Sequence, residues 1–497
     1  MSAVTASMLY DFVECPQRVS LDLFGDQARR DNPSPFVQLL WERGTLYEQR
    51  VVGELKDPFT NLKDVASDQK EKLTLEAIAR KDPLIYGGRI SHGDLVGEPD
   101  LLRLDGDAYV AGDIKSGSGE EGGSDDEDGK LKVRYAVQLG LYTDILEQIG
   151  KSAGRKPFVW DIHGKEVTYD LTVAQGKKDP RALWEDYQDV VGEVRAIVAK
   201  KVTTAPAYGG VCKNCVWYTY CGADLATSDD LTLIPYLGRS KRDVLVEKIP
   251  TRGALAAANL SDFVDEKKKK SVFAGIGAGT LETFIARAKL LTTKGAKPFL
   301  RGAVLLPSAD KELFFDIEVD PLRDVCYLHG FIERAGRDNA TEKFVSFFAE
   351  KATEADEKKA FGDAWAYIAG SGSAATYYYG SYERTWYRKL RKKYPDVCTE
   401  EELNAFFELP ETVNLYNDIV VKATEWPTID HSIKTLAKYL GFGWRDLHPS
   451  GAASIEWFDK WVKTADPAVR QRILEYNEDD CRATRVVVDE IRSMASG

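Results

Sequence analysis

Long apolar runs are missing from this chain. Its 497 residues are 43% hydrophobic, yet no stretch of about 18 consecutive apolar residues occurs, so no segment reads as a membrane-spanning helix. The opening MSAVTASMLYDFVECPQ has neither a basic start nor an apolar core, so no secretory signal is expected and the expected location is cytoplasmic. Seven cysteines are too few and too unevenly spaced to frame a disulfide scaffold of this length. In a reducing compartment, clustered cysteines point instead to metal or redox chemistry. No fixed-period repeat is present, which excludes a solenoid. No G-x4-G-K-[ST] loop is present either, which excludes a motor built on that loop. Positive charge is in deficit: the net charge of −12 argues against indiscriminate binding to polyanions. A local basic groove or bound divalent cations would still admit nucleic acid.

What is there is unevenly distributed. GSGEEGGSDDEDGK (117–130) combines glycine, serine and carboxylates and reads as a disordered loop. KKKK (267–270) and RKLRKK (388–393) are basic patches that read as solvated surface. Residues 1–226 mix helical stretches with short strands, and the polar ATSDD (226–230) marks a boundary. Residues 227–298 read as helical, with glycine-bearing turns in IPYLGRSKRDVL and FAGIGAGTLETFIARAKLL and a linker, TTKGAKP, at the end. Residues 299–497 begin with three β-rich runs and finish mostly helical. The fold class implied is α/β and multidomain.

The first constellation of chemical interest is VGEPDLLRLDGDAYVAGDIKSG (96–117). Its Asp-Gly pair between two β-like runs predicts a hairpin that brings Asp100 near Asp113 and Lys115. Strand periodicity puts Asp113 and Lys115 on one face, with Ile114 in the core behind them. Two carboxylates can hold a divalent cation such as Mg2+, and a lysine beside them can stabilise charge developing on a phosphate. Downstream, YAVQLGLYTDIL reads as a helix with Gln138 and Tyr142 on one face. Further on, GGVCKNCVWYTYCG carries Cys212, Cys215 and Cys221 in a C-x2-C-x5-C spacing, one short of a complete metal site. Four thiolates would suit either a [4Fe–4S] cluster or structural zinc, and spacing does not choose between them.

EPD, DIK and QLGLY followed by CKNCVWYTYC resemble the PD-(D/E)xK nucleases of the RecB family that carry an iron–sulfur cluster. The resemblance implies a restriction-endonuclease-like domain over 1–226, with Asp100 and Asp113 as Mg2+ or Mn2+ ligands. It implies Lys115 as catalytic lysine and Gln138 and Tyr142 as supporting residues. It also implies Cys15, in a lone Cys-Pro, as the fourth cluster ligand, and favours [4Fe–4S] over zinc. The family often places a metal-binding histidine on an early helix. In ERGTLYEQR that position holds Tyr47, with Glu48 beside it; either Glu48 supplies the ligand, the favoured reading, or the site binds metal less tightly.

In ELFFDIEVD (312–320), Asp316 and Glu318 are two apart on one face of a strand. Burying both is costly unless a cation compensates; the alternative is a surface pair on an edge strand. ATYYYGSYERTWYRKL reads as strand, turn and helix with Glu383 at the helix start, and RILEYNEDDCRATRVV as a helix with Tyr476 and Asp480 on one face. Asp479 is turned away by about 100°. Together with HSIKTLAKYLGF, these runs resemble the RNase H-like DEDD exonuclease domain attached to certain RecB-like nucleases. That resemblance implies Asp316, Glu318 and Asp480 as ligands of two metals, Tyr476 as the residue that orients water, and Glu383 where the wider group has aspartate.

The middle region resembles helix–hairpin–helix turns, with Gly238, Gly275 and Gly277 as phosphate-facing positions; the alternative is a purely structural set of helix ends. The expected function is a metal-dependent nuclease with two candidate sites, exonucleolytic on DNA ends or single strands, in repair, recombination or defence. Any helicase would be a separate partner. The alternatives are a decayed nucleic-acid-binding scaffold, or a 3′–5′ exonuclease on RNA acting through the RNase H-like site.

Overall fold

The computed structural model describes residues 3–122, 129–176, 180–265 and 270–496. Residues 123–128 of the acidic loop and Lys267, Lys268 and Lys269 of the basic run lie outside the described residues. The chain packs as two units, one of residues 1–206 and 210–222, the other of residues 207–209 and 223–497. Among the described residues no helix is long and apolar enough to cross a membrane.

The first unit is organised on a six-stranded sheet. Its strands are β1 (Thr60–Asn61), β2 (Leu84–Tyr86), β3 (Leu101–Asp105), β4 (Ala108–Ile114), β5 (Phe158–Trp160) and β6 (Glu166–Thr168), in the order β6-β5-β4-β3-β2-β1. The expected hairpin is β3–β4, antiparallel with Asp105 opposite Ala108, and Gly106 takes the positive φ of 62° that the tight turn requires. β4 is covered on both faces. Tyr109 and Ala111 join the core formed with the helix Val133–Gln148, while Val110 and Ile114 join the opposite core with Tyr47 and Phe158. Two-residue periodicity therefore sends Asp113 toward Val133–Gln148. That helix is apolar nearly all round because the helices Ala6–Glu14 and Leu183–Val198 pack on its far side.

The second unit contains a five-stranded sheet of β7 (Lys311–Asp320), β8 (Val325–Ala335), β9 (Lys343–Phe348), β10 (Ala375–Tyr378) and β11 (Thr412–Asn414), ordered β9-β8-β7-β10-β11. β7 and β9 each pair antiparallel with β8, and β10 and β11 run parallel to β7. β7 is central, so Asp316 and Glu318 are not an edge-strand pair. Leu313, Phe315 and Ile317 face one core, Phe314 the other. Asp316 and Glu318 share the parity of Phe314 and face the C-terminal helix Pro467–Ser496.

Residues 231–288 bury a core of their own within this unit. Its helices are Gly238–Leu245, Arg252–Ala257 and Ala278–Thr292. Between the last two, Val264–Asp265 pairs with Lys270–Ser271, a short β-pair inside the stretch expected to be helical with glycine-bearing turns. Gly238 and Gly275 take positive φ, 68° and 72°, whereas Gly277 is an extended N-cap with φ −71°. The basic run 388–393 lies on the helix Tyr382–Lys393, where Lys389 pairs with Asp324, Arg391 with Glu400 and Lys393 with Glu357.

Candidate active sites and the cysteine cluster

In the first unit the hairpin sets Asp100 at the entry of β3 against Asp113 near the end of β4. The Asp100 main-chain N–H lies 3.4 Å from Asp113 Oδ1, and Asp100 Oδ2 accepts from the Ile114 N–H at 2.9 Å. Lys115 Nζ is 2.8 Å from Asp113 Oδ2 and donates to Gln138 Oε1 at 3.1 Å. The expected face of the helix thus meets the expected face of the strand. Tyr142 is buried against Gly97, where a Cβ would come within 2.6 Å of its ring. Burial, then the Asp113 charge, pushes the Asp100 carboxyl up to about 7. Lys115 is held above the usual lysine range because Asp113 and Asp100 outweigh its burial. Two acidic groups pressed together with one ammonium fit a divalent cation.

Tyr47 does not face this site. Its hydroxyl donates to the Asp161 carbonyl and its ring packs in the opposite core. Glu48 lies on the site's margin, paired with Lys63 and accepting from the Tyr86 hydroxyl at 2.9 Å. Lys63 Nζ is also 3.9 Å from Asp100 Oδ1, so it links Glu48 to the pair. Sequence reasoning missed Lys63, which lies in an unremarkable loop between β1 and the next helix.

Cys15 sits at the kink between the helices Ala6–Glu14 and Pro16–Phe24, where Pro16 opens the second helix. The cysteine-rich segment docks on this corner. Trp217 is buried and its Nε1 donates to Asp22 at 2.8 Å, while the Thr219 N–H donates to Asp31 at 2.9 Å. Cys15, Cys212, Cys215 and Cys221 are all half-buried. Burial pushes the Cys215 thiol up, and Cys15 and Cys212 lie near enough to add to that rise. Cys215 and Cys221 both pack against Leu21, Val216 and Trp217. The four thiols thus come from both ends of the unit, but among the described residues no three of their sulfurs lie within 4.8 Å of one another.

The second unit holds a tighter acidic cluster. One ligand oxygen each from Asp316, Glu318 and Asp480 lies within 4.8 Å of the others, the only such group of three among the described residues. Glu318 and Asp480 are buried and Asp316 half-buried. Asn477 Nδ2 donates to Asp316 at 2.7 Å. Its approach depends on Gly330, opposite Asp316 on β8, where a Cβ would lie 1.6 Å from Asn477 Oδ1. Lys434 Nζ is 3.1 Å from both Asp480 oxygens and 2.9 Å from the Tyr476 hydroxyl, and Trp444 Nε1 donates to Asp480 at 2.7 Å. Asp479 is turned away and held by Arg445. Glu383 is buried, and its Oε2 has no hydrogen-bond partner. Burial pushes Glu383 up to about 7; burial and then Asp480 push Glu318 up to about 8. Asp316 is raised by burial, Glu318, Asp480 and Glu383 in that order, so all four acids share one neighbourhood. Such crowding, with one carboxylate oxygen unpartnered, fits divalent cations. Sequence reasoning missed Asn477, Trp444 and the role of Lys434, although the last lies in the quoted HSIK run.

Residues 25–222 match the family model of the PD-(D/E)XK nuclease superfamily, and residues 313–492 that of the RNase_H superfamily. The chain combines a PD-(D/E)XK domain with an RNase H-like domain. No curated protein matches the sequence. Both domains are of nuclease type and point to a metal-dependent nuclease, and the acidic clusters of each unit lie within the matched residues. Cys15 lies upstream of the first match.

Proposed function

We propose that the protein hydrolyses phosphodiester bonds of DNA from ends or single strands, with Mg2+ or Mn2+ at both carboxylate clusters. The observation that carries this reading is the convergence of Asp316, Glu318 and Asp480 within 4.8 Å on a central strand and the helix against it. In an in-line displacement, bound divalent cations would offset the charge on the attacking and leaving oxygens. Tyr476, bonded to Lys434, orients the attacking water, and Glu383 supplies a fourth carboxylate to the cluster. In the first unit Asp100 and Asp113 are the ligand carboxylates, with Glu48 supplementing them from the margin. Lys115, fixed by Asp113 and Gln138, presents its ammonium to the scissile phosphate, and Tyr142 backs the pair.

Cys15, Cys212, Cys215 and Cys221 hold a [4Fe–4S] cluster that staples the two ends of the first unit and takes no part in hydrolysis. Gly238, Gly275 and Gly277 present main-chain amides to phosphate. The setting is cytoplasmic DNA repair, recombination or defence, with any helicase a separate protein.

The test is incubation of anaerobically purified protein with end-labelled DNA and RNA, single- and double-stranded, with Mg2+, Mn2+ or EDTA. Metal-dependent shortening of DNA is expected. Shortening of RNA alone would transfer the assignment to RNA processing, and no cleavage of any substrate would leave a nucleic-acid-binding scaffold. Iron and visible colour are expected in the same preparation, and zinc without iron would replace the cluster by a structural zinc.

A further inference from the structure

The turn at Gly238 also fixes the residue two places before it. Tyr236 has a φ of +64°, in the left-handed region that a bulky side chain rarely adopts, and it is 42% exposed. Core burial therefore does not account for the strain. The turn instead delivers the ring to an aromatic cluster. Its hydroxyl lies 3.1 Å from the Tyr416 hydroxyl and 3.2 Å from His431 Nδ1, and its ring meets His431 edge-on at 5.3 Å. Tyr416 in turn lies 5.4 Å from the ring of Tyr379. The Tyr379 hydroxyl donates to the His431 carbonyl. His431 is 2% exposed, and its Nε2 has no hydrogen-bond partner.

This cluster is tied to the acidic site of the same unit from two sides. Tyr379 follows the strand Ala375–Tyr378 four residues before Glu383, and its main chain lies near enough to the Glu383 carboxyl to oppose the rise caused by burial. His431 stands three residues before Lys434, which holds Asp480 and Tyr476. Arg287 lies 5.0 Å from the Tyr236 ring and is bonded to Glu425 at 2.8 and 3.0 Å, a carboxylate it shares with Arg301 at 3.3 Å. The exposed ring of Tyr236 and the half-buried rings of Tyr416 and Tyr379 offer π-surface that suits the face of a base. Bases offer that face only when unstacked.

We infer that Tyr236, with Tyr416 and Tyr379, forms a stacking platform for the unpaired nucleobases of a single-stranded end entering the RNase H-like site. The inference rests on the nuclease reading of that site and adds its substrate class. Stacking is indifferent to the sugar, so the platform accepts unpaired DNA and RNA, and the two are tested side by side.

The experiment is fluorescence anisotropy of labelled oligo-dT, oligo-U and a blunt DNA hairpin, in EDTA so that nothing is cleaved. Wild type, Tyr236→Phe, Tyr236→Ala and Tyr416→Ala are compared. Each alanine variant is expected to weaken binding of single strands about fivefold or more, with hairpin binding unchanged. Tyr236→Phe, which keeps the ring, stays within about twofold of wild type. The slope of log Kd against log salt is the same for all, because no phosphate contact is lost. As a measurement on the unaltered chain, photocrosslinking of bromouracil-substituted single strands is expected to mark Tyr236 or Tyr416. Unchanged single-strand affinity in both alanine variants, or crosslinks confined to other segments, overturns the platform, and Asp316-dependent cleavage then still stands. Weakened binding in a protein that cleaves nothing supports the platform and removes the nuclease reading instead.

Discussion

Lys434 carries more of the second site than its place in the sequence suggests. Its ammonium touches both oxygens of Asp480 and the Tyr476 hydroxyl, so it fixes together the two side chains proposed above as a metal ligand and as the group that orients water. Lys434→Ala is expected to lower cleavage at this site about 100-fold or more while leaving the circular dichroism spectrum unchanged. Lys434→Arg should recover part of the loss. The carboxyls predict a pH effect with a definite sign. Asp100 near 7, Glu383 near 7 and Glu318 near 8 are all raised by burial, so the folded state binds more protons than the unfolded chain between about pH 4 and pH 8. The stability they contribute is present at low pH and is lost as pH rises through these values. In EDTA the Tm should therefore fall between about pH 5 and pH 8, by about 2–4 °C for each kcal/mol lost. Mg2+ or Mn2+ should restore it, and more at the higher pH. A Tm that rises across this range in EDTA would show that the acids are not crowded in this way.

At the scale of elements, each site is a strand face meeting a helix face. Gly330 sets the closeness of one such meeting. Gly330→Ala would put a methyl 1.6 Å from Asn477 Oδ1 and force the C-terminal helix or Asn477 aside. A destabilisation of about 1–3 kcal/mol in urea unfolding is expected, with weaker metal binding. The strand and helix faces were legible in the sequence, because periods of 2 and 3.6 place Asp113 with Lys115, Asp316 with Glu318 and Tyr476 with Asp480. The β3–β4 turn was legible from Asp105-Gly106, whose glycine takes the conformation such a turn needs. Lys63, Asn477 and Trp444 were not legible, since each reaches its partner from another element across more than 30 residues of chain. No local period encodes that approach. The turn at Gly238 was legible as a turn, but the strain at Tyr236 was not. The docking of Trp217 on the helix after Cys15 likewise appears only in three dimensions. Cys15→Ser is expected to lower iron content and the melting temperature together.

For the whole molecule, a chain of net charge −12 can handle a polyanion only if its acidic clusters are offset where the substrate reacts. Both clusters do carry local counter-charge, Lys115 and Lys63 in the first unit and Lys434 in the second. Divalent cations would supply the remainder, so cleavage should be strictly metal-dependent. The most direct measurement is the rate at which wild type, Lys115→Ala and Asp316→Ala shorten end-labelled DNA and RNA in Mg2+ or Mn2+. The account predicts metal-dependent shortening that at least one of the two substitutions reduces about 100-fold or more, with the fold intact. Cleavage at the wild-type rate by both variants would contradict it.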